Sequence, residues 1–291
     1  MSLHKNGSCC KLPEKFRKLL NFFLALLLLL VITNSAVANN FDDIFAVVFI
    51  DTQTEDKYGS IPLPRKLIAK AIHQLAKAGA NGVVLKFFVD RSKDAEGDQL
   101  LANAISELPV VLQARLDNNE MEPNELPSRF LFSDEINTQL SGQSGWIPLP
   151  LFSNFASDIG FADFNGFPVS LFVNYQGSAV KSLLLSSIEL AFDQKLRLQP
   201  DNTLILGDWV FPVDKFKRVN VNLKSGMDET YIPFHEVLDN KNLGRVKGKT
   251  VILGYHGHKI QTIKTAIGTI PAHLLFIKIL QALLDGDNGV K

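Results

Sequence analysis

The segment FAVVFIDTQTEDKYGSIPLPRKLIAKAIHQLAKAGANGVVLKFFVD, residues 45–90, decides the fold class that we expect for this chain. Apolar strands are predicted over residues 46–50 and 83–89, with an amphipathic helix that ends at Ala78 between them. The helix has one apolar face at 3.6-residue spacing, formed by Ile68, Ala71, Ile72, Leu75 and Ala78. Two apolar strands joined by such a helix predict a βαβ unit with parallel strands and a right-handed crossover.

Two residues are expected to mark the ends of this helix. Pro64 suits the first helical position, because its missing N–H would have no partner inside the helix there. Gly79 suits the position just beyond the helix, where the backbone turns left-handed.

The pattern continues with a third strand and then with antiparallel structure. A helix over residues 99–108, followed by a strand over residues 110–112, extends the unit to βαβαβ, the order of a parallel α/β core. The pair Asn165 and Gly166 lies between two apolar runs and predicts an antiparallel hairpin.

The last third of the chain adds further elements. We predict helices over residues 183–192 and 272–284, and antiparallel strands over residues 204–211 and 219–223. The sequence therefore predicts one α/β domain with a mixed sheet, in which a parallel βαβαβ core is joined to an antiparallel hairpin region.

Composition limits the classes of function. The chain has 291 residues, of which 46% are hydrophobic, so it is long enough to bury a substantial core. Lys plus Arg and Asp plus Glu both number 30, which gives a net charge of zero. Nucleic-acid binding usually requires a basic excess, so no nucleic-acid partner is expected.

The N-terminus is typical of an exported protein. Residues 1–18 are basic, residues 19–32 are apolar except for Asn21, and Ala36 and Ala38 form an A-x-A site of the signal-peptidase type. Two interpretations of residues 19–38 remain open, a cleaved signal peptide and a transmembrane anchor. Both place the basic region 1–18 in the cytoplasm and the domain 39–291 outside. The only cysteines, Cys9 and Cys10, precede the apolar segment, so the exported domain has no disulfide.

Several motifs carry a resemblance to a known family. They are Asp51 after an apolar strand, the segment 62–65 (PLPR), the run 74–80 before a strand, the late strand 246–254 and the closing helix 279–286. Together they resemble the CHASE type 2 domain and bracket nearly all of the chain after residue 40. The resemblance implies a sensory domain outside the bacterial cytoplasmic membrane, of the kind found in receptors with cyclase or kinase outputs.

The chain departs from the family pattern at polar positions. Lys86 stands where the family usually has an acidic residue, and Phe276 where it has a histidine. Phe167 and Pro168 replace an arginine, and the segment 261–264 lacks the usual aspartate. These departures imply a scaffold that keeps the fold and changes the pocket.

Asp51 and Lys86 form the first candidate ligand-binding pair. Asp51 follows a strand, and ligands of parallel sheets bind beyond the carboxyl ends of the strands. Lys86 lies in an apolar strand, where a charge is costly unless it is paired. The alternatives are a structural ion pair between the two, or a lysine whose stem is buried and whose amine reaches water.

His256 and His258 form the second candidate. They follow a predicted strand at a spacing that could bind a metal with His235 or His273 as a third ligand. No cysteine or acidic partner has matching spacing, so a glycine-rich connection with exposed histidines is the alternative, and we expect no metal and no cofactor.

The function expected from the sequence is sensing or binding without catalysis. The exported region has no Gly-x-Ser-x-Gly, no His-Glu-x-x-His and no cysteine nucleophile. No output domain follows the last helix, so we expect an accessory partner of a membrane receptor or other inner-membrane protein. Lys278, Gln281 and Ala282 of the last helix are expected near the surface as a docking site, and the alternative is that this helix only packs on its own sheet. The alternatives are an independent periplasmic protein that binds a small molecule and an unrecognised hydrolase. The expected location is the bacterial cytoplasmic membrane with the domain facing the periplasm, or the periplasm itself after cleavage.

Overall fold

A mixed β-sheet forms the centre of the computed structural model, which describes residues 40–117, 125–133, 136–207, 209–224 and 230–285. The predicted N-terminal regions 1–18 and 19–38 lie outside these residues. The helices of the described part are α1 (Phe41–Ile44), α2 (Thr52–Tyr58), α3 (Arg65–Lys77), α4 (Ala95–Ile105), α5 (Pro150–Ser153), α6 (Leu183–Phe192), α7 (Phe234–Leu238) and α8 (Ala272–Leu284), with 3-10 turns at Ser128–Phe130 and Leu243–Val246.

The strands are numbered in chain order. They are β1 (Phe45–Asp51), β2 (Gly82–Leu85), β3 (Val110–Leu116), β4 (Ser141–Gly142), β5 (Gly145–Trp146), β6 (Asp158–Phe161), β7 (Val169–Ser170), β8 (Phe172–Tyr175), β9 (Ser178–Lys181), β10 (Arg197–Leu198), β11 (Thr203–Leu206), β12 (Trp209–Pro212), β13 (Arg218–Val219), β14 (Ile232–Pro233), β15 (Thr250–His256), β16 (Thr262–Thr265) and β17 (Gly268–Pro271).

The central sheet has the order β14-β1-β15-β2-β3, and β3 also pairs with β5 and β6. All of these pairings are parallel except that of β5 with β3. The mixed sheet and its parallel β1, β2 and β3 confirm the predicted α/β class. However, β15 lies between β1 and β2, so the first βαβ crossover skips one strand. All but the last residue of β15 are buried, as is typical of a strand with neighbours on both sides.

Helices cover both faces of the sheet. Side chains of β1 and β2 alternate between the two layers, with Val48 and Leu85 facing α3, α4 and α7, and Phe49 and Val84 facing α6 and α8. The apolar face predicted for α3 is buried in the first layer. Pro64 is the N-cap of α3, one residue before the first helical position that was predicted for it. Gly79 has the expected positive φ, at 80°.

The predicted antiparallel pairings are wrong in detail. Residues 158–161 pair in parallel with β3 as strand β6, all four residues being buried, so they do not enter a hairpin at Asn165 and Gly166. The hairpin of this region joins β8 and β9, and its turn residues Gln176 and Gly177 both have positive φ. The predicted strand 204–211 forms two strands, β11 and β12, which pair with each other. The strand β13 therefore does not pair with this segment as predicted, but with β7.

A buried ion cluster joins β6, β9 and α6 on the opposite side of the sheet from its carboxyl edge. Lys181 contacts both Asp158 and Glu189, with nitrogen–oxygen distances of 2.5 Å. Burial alone would lower the pKa of Lys181, but the two carboxylates outweigh it and the pKa is raised. Lys195 also contacts Glu189 at 3.1 Å, so the two carboxylates are matched by two amines, and the cluster holds these elements together at the amino end of the strands.

Candidate functional site

The carboxyl ends of the parallel strands bring two groups of polar side chains to one edge of the sheet. Ligands of open parallel sheets bind in this position. One group surrounds a cavity that we call the basic cavity, and the other surrounds Asp51 at the end of β1.

The basic cavity has a volume of about 440 Å³. Its walls come from the ends of β1, β2, β3 and β15, from the start of α3 and from the start of α8. Its cationic side chains are Arg65, Lys86, Lys93, Arg115 and Lys259, and its aromatic ones are Phe87, Phe88, Trp146 and Tyr255. No aspartate or glutamate of the described residues lines it. The cavity therefore combines apolar walls with an excess of cationic side chains.

The cations of the cavity are compensated to different degrees. The Arg65 guanidinium lies 3.3 Å from the carboxylate of Asp98 and donates to the carbonyl of Arg91 at 2.8 Å. Burial nevertheless lowers the pKa of Arg65. Arg115 lies over the ring of Trp146 at 4.6 Å, a cation–π contact that leaves its charge available. Within the described part of the chain, the amine of Lys259 contacts no carboxylate.

Lys86 occupies the floor of the cavity. It follows the last residue of β2 and is only 7% exposed. Its amine donates to Oε1 of Gln113 at 3.1 Å and lies 4.5 Å from the centroid of the Phe276 ring. Burial, with no carboxylate to oppose it, lowers the pKa of Lys86 to about 7. Both the neutral and the charged amine are therefore populated near neutral pH.

Lys86 also lines a second, smaller cavity. It measures about 90 Å³, and Lys86, Asp163, Ser170 and Phe276 are among its lining residues. Burial raises the pKa of Asp163 to about 6, although the backbone N–H of Leu116 donates to its carboxylate. The Ser170 hydroxyl is buried without a hydrogen-bond partner. Lys86 thus belongs to the lining of two cavities of different size.

His273, in the first turn of α8, lines the basic cavity as a neutral imidazole. Its Nδ1 accepts a hydrogen bond from the backbone N–H of Tyr255 at 2.9 Å, which assigns the ring proton to Nε2. Burial holds its pKa well below the usual value, and the charges of Lys86 and His256 lower it further. His273 can therefore donate one hydrogen bond from Nε2 without adding positive charge.

Asp51 does not pair with Lys86, which corrects the pairing considered from the sequence. Its Oδ1 accepts from the backbone N–H of Thr54 at 2.9 Å and from the Thr54 hydroxyl at 2.7 Å, so Asp51 caps α2. Nδ1 of His235 lies 4.0 Å from the same carboxylate oxygen. The strand β15 separates β1 from β2, so Asp51 and Lys86 have different neighbours.

His256 and His258 also lie outside the basic cavity. His256 pairs with Asp51 in the register of β1 and β15, and its buried Nδ1 has no hydrogen-bond partner. The side chain of His258 is exposed. Glu55 accepts hydrogen bonds from the backbone N–H of His258 at 3.3 Å and the hydroxyl of Tyr255 at 3.1 Å. In the described ranges, no three His, Cys, Asp or Glu residues are placed to hold a metal ion.

A family model, the CHASE2 domain, matches residues 17–290. The chain belongs to the CHASE2 family. This confirms the resemblance drawn from the motifs at the two ends of the sequence. No curated protein and no solved structure matches the chain. CHASE2 domains are extracytoplasmic sensory domains that occur in membrane signalling receptors.

Lys86 and Phe276, at which the resemblance implied departures from the family, are in contact. The amine of Lys86 lies 4.5 Å from the centroid of the Phe276 ring. The inference that this chain has a changed pocket remains a prediction, and this contact shows where such a change would act.

The predicted signal peptide or transmembrane anchor, residues 19–38, lies outside the described residues. Within the described ranges, no helix is both long enough and apolar enough to cross a bilayer.

Most residues of the cavity were not predicted from the sequence. Arg65, Gln113, Arg115 and Lys259 were not among the predicted site residues, and His273 entered only as a possible metal ligand. Arg115 and Lys259 have a signal in their position, because each is a cation near the carboxyl end of a parallel strand. Gln113, in the middle of β3, and His273, in the helix after an antiparallel strand, have no such signal.

Proposed function

We propose that this CHASE2 domain is an extracytoplasmic sensor that binds a small organic anion in the basic cavity, without turning it over. The observation that carries the proposal is a cavity lined by five cationic side chains and by no carboxylate of the described residues. Its volume falls in the range of natural small-molecule sites, and its aromatic walls suit an organic skeleton. An anion would neutralise charges that repel one another in the empty domain.

The position of the cavity supports a sensory role. Arg65 begins α3, Arg115 lies near the end of β3, and His273 lies in the first turn of α8. A ligand that contacts all three joins both helical layers to the sheet edge. Binding would therefore favour the arrangement in which these elements are close together, which is how a ligand shifts a conformational population.

The test is thermal unfolding of the purified full chain with a panel of small carboxylates, phosphate esters and sulfonates. An anion at about 100 times its Kd should add about 2.7 kcal/mol and raise the Tm by about 5–10 °C. Neutral amides of the same skeletons should give no shift. The variants Arg115→Glu and Lys259→Glu should lose the shift, while Lys70→Glu, on the exposed face of α3, should keep it.

Equal shifts with the neutral amides, or an unchanged shift in both charge-reversed variants, would contradict the proposal. In the first case the ligand site would not select for charge, and in the second it would lie elsewhere.

We also propose that the domain reports its state to a membrane signalling receptor as an accessory partner. Support comes from the family, since CHASE2 domains occur in such receptors. Crosslinking in intact cells should recover an inner-membrane protein with the full chain, in an amount that changes when an active anion is added. Recovery of no inner-membrane protein would favour an independent periplasmic binding protein instead.

A further inference from the structure

The amine of Lys86 is placed to react with its ligand as well as to attract it. We infer that Lys86 forms a reversible imine with an oxo-carboxylate, a ligand that carries an aldehyde or ketone carbon close to a carboxylate. The inference rests on the proposed function, because the basic cavity must first bind the anion.

The geometry around the amine is that of a nucleophilic lysine. Lys86 is buried, its amine donates to Oε1 of Gln113, and it lies over the face of the Phe276 ring. Lysine is activated as a nucleophile where burial desolvates its amine, as it does here. The hydrogen bond to Gln113 uses one N–H of the amine and leaves the nitrogen lone pair of the neutral form free.

The titratable groups around Lys86 do not restore its charge. His273 is neutral, and Arg65, Arg115 and Lys259 on the cavity wall are cationic. Asp163 lines the smaller cavity together with Lys86, but it does not shift the pKa of Lys86, for which burial is the cause. The lowered pKa of Lys86, about 7, means that a substantial fraction of the amine is neutral in a neutral medium.

The reaction requires no cofactor. The nitrogen of Lys86 attacks the carbonyl carbon and forms a carbinolamine, whose hydroxyl leaves as water when the C=N bond forms. The two hydrogens of the water come from the amine, so atoms and electrons balance without an oxidant or reductant. Water reverses the step and releases the ligand, as a sensor requires.

The remaining cavity residues fit the other end of such a ligand. The guanidinium of Arg115 and the amine of Lys259 are available for the carboxylate, and Arg65 supports them from the start of α3. The Nε2–H of His273 is a neutral donor for the carbonyl or carbinolamine oxygen. A plain carboxylate would use the cations but not the amine, so the arrangement selects for an oxo group.

The test traps the imine by reduction. The full chain is incubated with pyruvate, glyoxylate or 2-oxoglutarate and sodium cyanoborohydride, and peptides are analysed by mass spectrometry. The peptide containing Lys86 should gain the mass of the acid less one oxygen atom, because water is lost and two hydrogens are added. Lactate and glycolate, the matched hydroxy acids, should give no adduct.

Matched variants locate the imine at Lys86. Lys86→Arg keeps a charge but cannot form an imine, and Lys86→Met serves if the arginine variant does not melt cooperatively. Either should lose the adduct, while Lys70→Arg, at an exposed position of α3, should form it as the wild type does.

The outcomes are distinct. No adduct with any oxo acid, in a protein that anions stabilise, would overturn the imine and leave the proposed function standing. Adducts at other lysines in similar yield would also overturn it. No stabilisation by any anion would contradict the proposed function itself.

Discussion

At the scale of single residues, Asp51 and Lys86 have a similar sequence context but different roles in the structure. Asp51 and Lys86 both follow apolar strands, and pairing them was reasonable while β1 and β2 were thought to be neighbours. The inserted strand β15 separates them, so Asp51 caps a helix and Lys86 lies buried in a cavity without a carboxylate. Each residue therefore has its own testable consequence.

Asp51→Ala should destabilise the domain by about 1–2 kcal/mol, because it removes the cap of α2 and leaves the backbone N–H of Thr54 unpaired. Denaturant unfolding measures this difference. Asp56→Ala, at an exposed position of the same helix, is the control and should change stability little. In a double-mutant cycle, Asp51→Asn and Lys86→Met should add within about 0.5 kcal/mol, and a larger coupling would mean that the two residues interact.

Lys86 should make stability depend on pH. Its pKa is about 7 in the folded domain against 10.5 when exposed, so the unfolded chain binds more protons between these values. The free energy of unfolding of the wild type should therefore rise relative to that of Lys86→Met, by roughly 1 kcal/mol per pH unit.

Denaturant unfolding of both proteins at pH 7.5, 8.5 and 9.5 measures this rise. The nearby Asp163 and His273 have pKa values below that window, and Tyr255 has a pKa raised above 10. A constant difference between the two proteins would show that the amine stays charged in the folded state.

At the scale of elements, packing buries helix positions that the 3.6-residue periodicity predicts to be exposed. The helix α8 was expected to expose Lys278, Gln281 and Ala282 as a docking surface. All three are buried, Lys278 to the extent that only 7% is exposed, so that expectation is wrong. An amphipathic pattern identifies the face that meets the sheet, but other segments of the chain can cover the opposite face as well.

Lys278→Glu should therefore destabilise the domain by about 3 kcal/mol, since it reverses a buried charge that has a partner. The Tm reports this loss. Lys264→Glu, at an exposed position of β16, provides the comparison and should leave the Tm nearly unchanged. A Tm in Lys278→Glu equal to that of the wild type would mean that the charge reaches water.

Gly160 sets the distance between β6 and α6. A Cβ at this position would lie 2.5 Å from the Cα of Leu183, closer than packed atoms can approach. Gly160→Ala should thus force β6 and α6 apart and cost about 1–3 kcal/mol in unfolding free energy. Gly244→Ala, where no atom lies within 4 Å of the added Cβ, should cost much less. Similar losses in the two variants would argue against the packing explanation.

At the scale of the whole molecule, residues far apart in the chain meet at one edge of the sheet. The strand β15, almost 200 residues after β1, pairs with it along seven positions and with β2 along four. The cations Arg65, Arg115 and Lys259 converge for this reason, and so do the two candidate groups of polar residues.

The orientation of the whole chain can also be tested. Because basic residues favour the cytoplasmic side, a reporter that works only in the periplasm should be active when fused after Lys291 and inactive when fused at Lys18. Activity at Lys18 would contradict the predicted orientation. The result is independent of whether residues 19–38 are cleaved or remain as an anchor.

The sequence by itself determined the local elements and the family. Apolar runs fix β1 and β3, the 3.6-residue pattern fixes α3, and α6 and α8 have the predicted bounds, because these features depend on neighbours along the chain. Hairpins were less predictable, since the apolar residues of β6 found a parallel partner in β3 instead of the following strand. Local propensity does not specify which of several apolar strands will pair.

Tertiary structure decided the order of the strands, and with it the candidate site. A strand that is buried on both faces can pair with any other of similar pattern, so only the packing of the complete chain places β15 at the centre. That placement separates Asp51 from Lys86, brings Gln113 and Phe276 to the lysine amine, and gathers the cations around one cavity. The physical reason is that hydrogen bonds between strands and the environment of a buried charge depend on residues that are far apart in the chain.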